Sequence, residues 1–248
     1  MCVKEGVISA ETPPADKEKT VMVMETERQE IVEYGKRISS EGLAKGTAGN
    51  ISIYDPDTGL MAVSPSGIGY FDTMPEDVVV MTLDGKIVDG ARKPSSEYGL
   101  HAVIYRIKPE ARAVVHTHSK YCTALACMRE PLKPYHYVIA AAGTAAVPCA
   151  EYATFGTPEL AEKVREALGE SRAVLLANHG LVACGADLDG AFSLAVNCEF
   201  CAELQWMCEC AGENRGVVLS EQEMEAAMER FRSYGQTDNS SSGQTKGY

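Results

Sequence analysis

The sequence predicts one α/β domain in which a mixed, mostly antiparallel sheet is covered by helices on both faces. Three observations carry this. Apolar runs of strand length are interspersed with stretches of helical period; two pairs of these runs are joined by turn residues; and no strict strand–helix–strand alternation, the mark of an all-parallel sheet, is present. With 248 residues, 45% of them hydrophobic, the chain supplies one substantial core without needing a second.

In chain order, residues 1–25 hold Pro13, Pro14 and a charge cluster without a sustained period, which predicts a flexible extension ahead of one folded domain over 26–236. Thr26 and Gln29 form a candidate capping box, and Ile31, Tyr34, Ile38 and Leu43 mark the face of a helix that stops near Gly46. Residues 51–54 and 60–63 flank the turn residues Asp55–Gly59, and 78–81 and 87–88 flank Asp84-Gly85, giving two hairpins. Leu100, Val103, Ile104 and Ile107 follow helical spacing, with Ser95 or Ser96 as the natural cap and Glu97 in the first turn. A strand over 113–115, a helical stretch from Ser119, a Gly/Ala-rich region through Pro148, a helix over 157–168, a strand over 172–177 and a helix over 187–210 follow. A last helix, 221–231, carries Met224, Ala227, Met228 and Phe231 on one face, and the Ser-, Gly- and Gln-rich residues 237–248 read as a disordered tail.

The net charge of −12 excludes a general nucleic-acid binder, which would present a basic stripe. No run of eighteen apolar residues occurs and residues 1–6 do not resemble a signal peptide, so the expectation is a cytoplasmic protein without a membrane partner. Nine scattered cysteines fit reduced thiols. Cys198, Cys201, Cys208 and Cys210 lie in a helical pattern and read as small packing residues, with metal or redox work as the alternative.

The chemistry concentrates at His116-Thr117-His118, which closes the run Ala113-Val114-Val115. On a strand, side chains two apart share a face, so two imidazoles stand side by side, and imidazole is a preferred ligand of zinc and similar ions. The apolar segment 172–177 ends in Asn178-His179-Gly180, where Gly180 permits a turn that could aim His179 inward. Three histidines leave a zinc ion one open position, as at a catalytic site; unrelated core or surface histidines are the bland alternative. Gly46–Asn50, Ser64–Gly67 and Ser95-Ser96 are three loops rich in small residues and donors, each suited to an anion, although such a loop taken singly is more often an ordinary turn or cap. Glu97 suits the helix macrodipole, or a proton shuttle and fourth ligand beside a metal. His101, one turn later, could cap, pack or support Glu97, and His136 between Tyr135 and Tyr137 is similarly open.

Taken in order, Gly-Thr-Ala-Gly-Asn-Ile-Ser (46–52), Ser-Pro-Ser-Gly (64–67), Pro-Ser-Ser-Glu (94–97), His-Thr-His (116–118) and Asn-His-Gly (178–180) resemble the class II aldolase/adducin family over about residues 26–236. Residues 136–143, 148–150, 152–157 and 231–235 look closest to its L-fuculose-1-phosphate aldolase branch. The resemblance implies a three-layer α/β/α fold and a homotetramer with sites at subunit interfaces. It also implies one zinc per subunit on His116, His118 and His179, with Glu97 as acid/base that can approach the metal when substrate is absent. Gly49, Asn50, Ser66, Gly67, Ser95 and Ser96 would bind a substrate phosphate, Tyr137 would protonate the aldehyde oxygen, and Tyr234 would close over a neighbour's site. The implied reaction is reversible cleavage of a ketose 1-phosphate, first of all L-fuculose 1-phosphate, to dihydroxyacetone phosphate and L-lactaldehyde through a zinc-stabilised enediolate. Alternatives are a pentulose-5-phosphate 4-epimerase such as acts on L-ribulose 5-phosphate, whose family carries Asp where this chain has Glu97, and a non-catalytic adducin-like module, which would not need three ligands.

Overall fold

Parity along the central strands sets the layers. The computed structural model of the chain describes residues 22–212, 215–232, 236–237 and 245–246. Helix α1 (Glu25–Ser40) leads into the hairpin β1 (Asn50–Asp55) and β2 (Leu60–Val63), then the hairpin β3 (Val79–Thr82) and β4 (Ile87–Asp89). Next come α2 (Tyr98–Ile107), β5 (Ala113–Thr117), α3 (Lys120–Met128), β6 (Cys149–Ala150), α4 (Pro158–Leu168), β7 (Ala173–Leu176), β8 (Gly180–Gly185), α5 (Leu188–Cys210) and α6 (Glu221–Arg232). The strands form one eight-stranded sheet in the order β4-β3-β2-β1-β5-β8-β7-β6. Only the short β6–β7 pair is parallel.

Alternate residues of one strand enter two different cores, as the period of two requires. Ala113 and Val115, Leu175, Leu181 and Ala183 pack with α1, α3 and α5, while Val114, Val174, Leu176 and Val182 pack with α2 and α4. The result is the expected three-layer mixed sheet. β7 and β8 are buried along their whole length, so they read as continuous apolar runs and not as alternating ones.

That burial explains one omission of the sequence reading, which has no strand at Leu181-Val182-Ala183-Cys184. The run is β8, paired antiparallel to both β5 and β7. Two helix starts also differ. Thr26 lies inside α1, whose N-cap is Met24 in the left-handed region (φ 55°) without a side-chain cap, so the Thr26/Gln29 capping box is not formed. Arg28, fully buried in α1, fixes this entry by donating to the carbonyls of Val23 and Val78 and pairing with Asp89. The helix ends at Ser40, short of Gly46. Helix α2 starts at Tyr98 with Glu97 as its N-cap, one step outside the first turn, and the Glu97 side chain accepts no cap hydrogen bond.

Thr157 and Asp187 cap α4 and α5 as side-chain acceptors. Cys198 and Cys201 are buried in α5, and burial pushes both thiols up, Cys201 to about 12, which suits packing and not redox work. Among the described residues no helix is long and apolar enough to cross a membrane. Most of the expected extension (1–25), most of the tail (237–248) and Tyr234 lie outside the described residues.

Candidate active site

The register of three strands places the first two metal-ligand candidates. His116 of β5 stands opposite Asn50 of β1 and Val182 of β8. It has the parity of Val114, so it faces the layer of α2 and α4. His118 follows one residue after the strand on the same side, and His179 sits in the tight turn between β7 and β8. The turn is made by Asn178 at φ 56°, not by Gly180, whose φ is not positive. Asn tolerates this conformation better than most residues, which the Asn-His-Gly spelling signals.

Gly180 serves close approach instead. A Cβ there would lie 2.2 Å from the Thr117 carbonyl oxygen and 3.2 Å from the His118 ring. Gly180→Ala is therefore expected to cost about 1–3 kcal/mol of stability by overpacking and to weaken metal binding by moving His118 against His179. Thermal unfolding together with metal titration checks this; an unchanged melting temperature and affinity would refute it.

The three imidazoles surround a common point. Their ring centroids are 4.8 to 4.9 Å apart pairwise, with interplanar angles of 71° to 81°. One ligand nitrogen from each lies within 4.8 Å of the others. Fully buried His116 has Nδ1 2.9 Å from the Leu181 carbonyl oxygen, which can only accept, so Nδ1 carries the proton and Nε2 presents a lone pair. That Nε2 lies 3.0 Å from His118 Nε2, near the roughly 3.4 Å expected of two nitrogens in a tetrahedron at zinc–nitrogen length.

Glu97 completes the cluster. Its Oε2 is 3.4 Å from His116 Nε2 and its Oε1 is 3.5 Å from His179 Nε2. Oε1 is buried without a hydrogen-bond partner. An orphaned carboxylate oxygen beside three converging nitrogens is costly unless a cation or a proton is taken up there, so the donor set fits one divalent ion. Burial, reinforced by His116, lowers His118 and His179 to about 4 against the opposing pull of Glu97, so both are neutral at pH 7, as metal ligands must be. Burial by itself would raise the Glu97 carboxyl; positive charge gathered at the His116 and His179 nitrogens, with the Asn50 amide, outweighs it and brings the carboxyl down to about 2, ionised, so the carboxylate and a cation among the imidazoles favour each other.

A cavity of about 360 Å³ opens beside this cluster, and all six phosphate candidates line it: Gly49, Asn50, Ser66, Gly67, Ser95 and Ser96. Ser66 N–H donates to Lys93 O and Ser95 N–H to Ser64 O, which joins the second and third loops. Gly49, at φ 76°, lets the first loop press against β5; a Cβ would meet the His116 carbonyl oxygen at 2.6 Å. Ser96 and Glu97 open α2, where the helix end favours an anion. Among the described lining residues none is Lys or Arg, so an anion here is held by neutral donors, a helix end and whatever cation the histidines bind. Tyr152 and Phe155, both more than half exposed, also line it.

Other expectations are not gathered here. Tyr137 sits on a 3-10 helix (Tyr137–Ala142), is 56% exposed and does not line this cavity. Its ring is 6.3 Å from that of Phe231, which does not line this cavity either. His136 caps that same short helix, its Nδ1 accepting from Val138 N–H. Asn178 and Tyr152 line the cavity as well; in the sequence each stands only within a motif that carries the resemblance, Asn178 beside His179 and Tyr152 in the stretch 152–157.

Residues 29–206 match the family model described as the class II aldolase and adducin N-terminal domain. Over 215 residues the chain is 47% identical to 5-deoxy-D-ribulose 1-phosphate aldolase of Bacillus thuringiensis serovar kurstaki, covering 87% of this chain and all of that one. It is 39% identical to L-fuculose phosphate aldolase of Escherichia coli K12, covering 84% and 94%. A solved structure of an L-fuculose 1-phosphate aldolase superposes with a TM-score of 0.82 at 43% identity, covering 85% of this chain and 98% of that one.

Proposed function

Because the chain belongs to the class II aldolase and adducin family, we propose that it is a zinc-dependent lyase that cleaves a ketose 1-phosphate to dihydroxyacetone phosphate and a short aldehyde. The observation that carries this is the adjacency of Glu97 and three histidines to a cavity ringed by phosphate-sized donor loops. The ion held by His116, His118 and His179 supplies Lewis-acid stabilisation of the negative charge that develops on the triose half. Gly49, Asn50, Ser66, Gly67, Ser95 and Ser96 bind the phosphate and so fix the distance from C1 to the metal.

In the synthetic direction Glu97 removes a proton from C3 of dihydroxyacetone phosphate, the C3 electron pair forms the bond to the aldehyde carbon, and a tyrosine protonates the aldehyde oxygen. Cleavage is the reverse. No lysine Schiff base is needed. Tyr137 is the proposed donor; it stands outside its own chain's cavity, so in this reading it acts in the site of a neighbouring copy, as a homotetramer with interfacial sites would require. Tyr234 is proposed to cover a neighbour's site in the same way.

The distal end of the substrate is read from the wall of Tyr152 and Phe155. An apolar wall suits a methyl-terminated aldehyde, which is lactaldehyde from L-fuculose 1-phosphate and acetaldehyde from 5-deoxyribulose 1-phosphate. L-Fuculose 1-phosphate is the first choice on the sequence motifs; the 47% match favours the 5-deoxypentulose as the second reading. The two aldehydes differ by one CH–OH, and an apolar wall discriminates a group of that size by only ~1–3 kcal/mol, so one ketose should be preferred by about 10- to 200-fold, not absolutely. Relative kcat/KM values on these two ketose 1-phosphates and on L-ribulose 5-phosphate test the reading. Triose phosphate release from either 1-phosphate supports it, whereas epimerisation of the 5-phosphate without triose release would overturn it.

A further inference from the structure

Beneath Glu97 a buried polar ladder crosses from α2 to β1. Glu97, His101 and Tyr105 recur at i, i+4 and i+8 on the helix side, and Asn50 and Ser52 at i and i+2 on the strand. Four helical residues rise about 6 Å and two strand residues about 6.7 Å, so the two series interleave. Asn50 Nδ2 is 3.0 Å from Glu97 Oε2, and Asn50 Oδ1 is in contact with His101 Nε2. His101 Nδ1 is 2.7 Å from Ser52 Oγ, which is 2.7 Å from Tyr105 Oη. His101, Ser52 and Asn50 are all buried, the first two completely.

Donor and acceptor accounting fixes the protons of this ladder from Glu97 to Ser52. The Glu97 carboxylate only accepts, so Asn50 must turn its NH2 to Oε2. Asn50 Oδ1 then faces His101 and also only accepts, so His101 Nε2 carries the proton. A neutral ring leaves Nδ1 as an acceptor, so Ser52 Oγ–H donates to it, while Tyr105 Oη–H is within reach of both Ser52 Oγ and the Ser52 carbonyl oxygen. Burial, with His116 adding to it and Glu97 opposing, pulls His101 down to about 3, which keeps the ring neutral.

We propose that His101 is a positioning residue for the proton transfer at Glu97: its Nε2–H tautomer holds the Asn50 amide so that it donates to Glu97 Oε2, leaving Oε1 as the oxygen that carries the proton. Oε1 is the carboxylate atom without a hydrogen-bond partner. If the ring lost its donor, the amide could rotate by half a turn and place Oδ1 against the carboxylate, and Glu97 would lose its orientation. The inference rests on the reading of Glu97 as acid/base.

Two measurements on the full-length zinc-loaded protein test it. Histidine 15N chemical shifts should report His101 as neutral with Nε2 protonated; an Nδ1–H tautomer or an imidazolium would overturn the ladder. In kinetics, His101→Leu should keep its zinc and its KM while kcat falls about 10- to 100-fold, the range found for partners that orient active groups. His101→Gln, whose amide can still donate to Asn50 and accept from Ser52, should recover most of that loss. A histidine that only fills space predicts the opposite ranking, and His101→Gln folded, zinc-loaded and as slow as the Leu variant would overturn the role. If His101→Leu does not fold, the tautomer and the Gln variant still decide. Full turnover in Glu97→Gln with the predicted tautomer intact would overturn the acid/base reading, and with it the role of His101, while leaving the ladder itself standing.

Discussion

His116→Ala is expected to empty the metal site and to lower turnover at least about a thousandfold, because Lewis-acid stabilisation is worth several kcal/mol and each ~1.4 kcal/mol is a factor of ten. His116 is the ligand to choose. It is wholly buried, its Nδ1–H is committed to the Leu181 carbonyl, and its Nε2 is the atom common to the short approach of His118 and of Glu97. Truncating this fully buried ring also leaves a cavity, which should cost about 2–5 kcal/mol of stability. Metal content by elemental analysis and a melting curve separate the two effects. Wild-type protein stripped with a chelator should show the same loss of turnover with His116 in place, and full turnover in the metal-depleted variant would refute the role.

Glu97→Gln is expected to keep the metal and the fold but to lose about 10²- to 10⁴-fold in kcat, the usual worth of a positioned acid/base. The amide preserves the side chain's volume, and its carbonyl can still accept from Asn50 Nδ2, which now donates to Oε2. What disappears is the negative charge beside the metal ligands and the carboxylate oxygen, Oε1, that has no hydrogen-bond partner. The loss should appear in kcat more than in KM, since the phosphate loops are untouched. Zinc content and substrate binding equal to wild type with unimpaired turnover would remove Glu97 from the mechanism.

Much of this was legible because it follows from short-range rules. The His-x-His spacing on an apolar strand puts two imidazoles on one face, and β5 does so. Turn residues between apolar runs announced both hairpins, and these formed with antiparallel register. The misses have equally physical causes. β8 is buried on both faces, so its sequence carries no alternation to mark it. The entry to α1 is set by the buried Arg28 reaching loop carbonyls 47 and 50 residues away, which no local capping pattern encodes. His101 stood in sequence as an unassigned histidine one turn after Glu97. Its role depends on Asn50 and Ser52 across a tertiary contact, so only the packing of α2 on β1 reveals it. Tyr137 is the converse case: a residue implied by motif alone that the single chain leaves outside the cavity.

The most direct test of the central claim is carbon–carbon cleavage under control of the metal. Purified protein is stripped of metal, reloaded with zinc at one ion per chain, and given L-fuculose 1-phosphate or 5-deoxyribulose 1-phosphate, with dihydroxyacetone phosphate measured as it forms. Triose phosphate released only by the reloaded protein is the predicted result. Equal release by demonstrably metal-free protein, or none from either ketose after reloading, would contradict it.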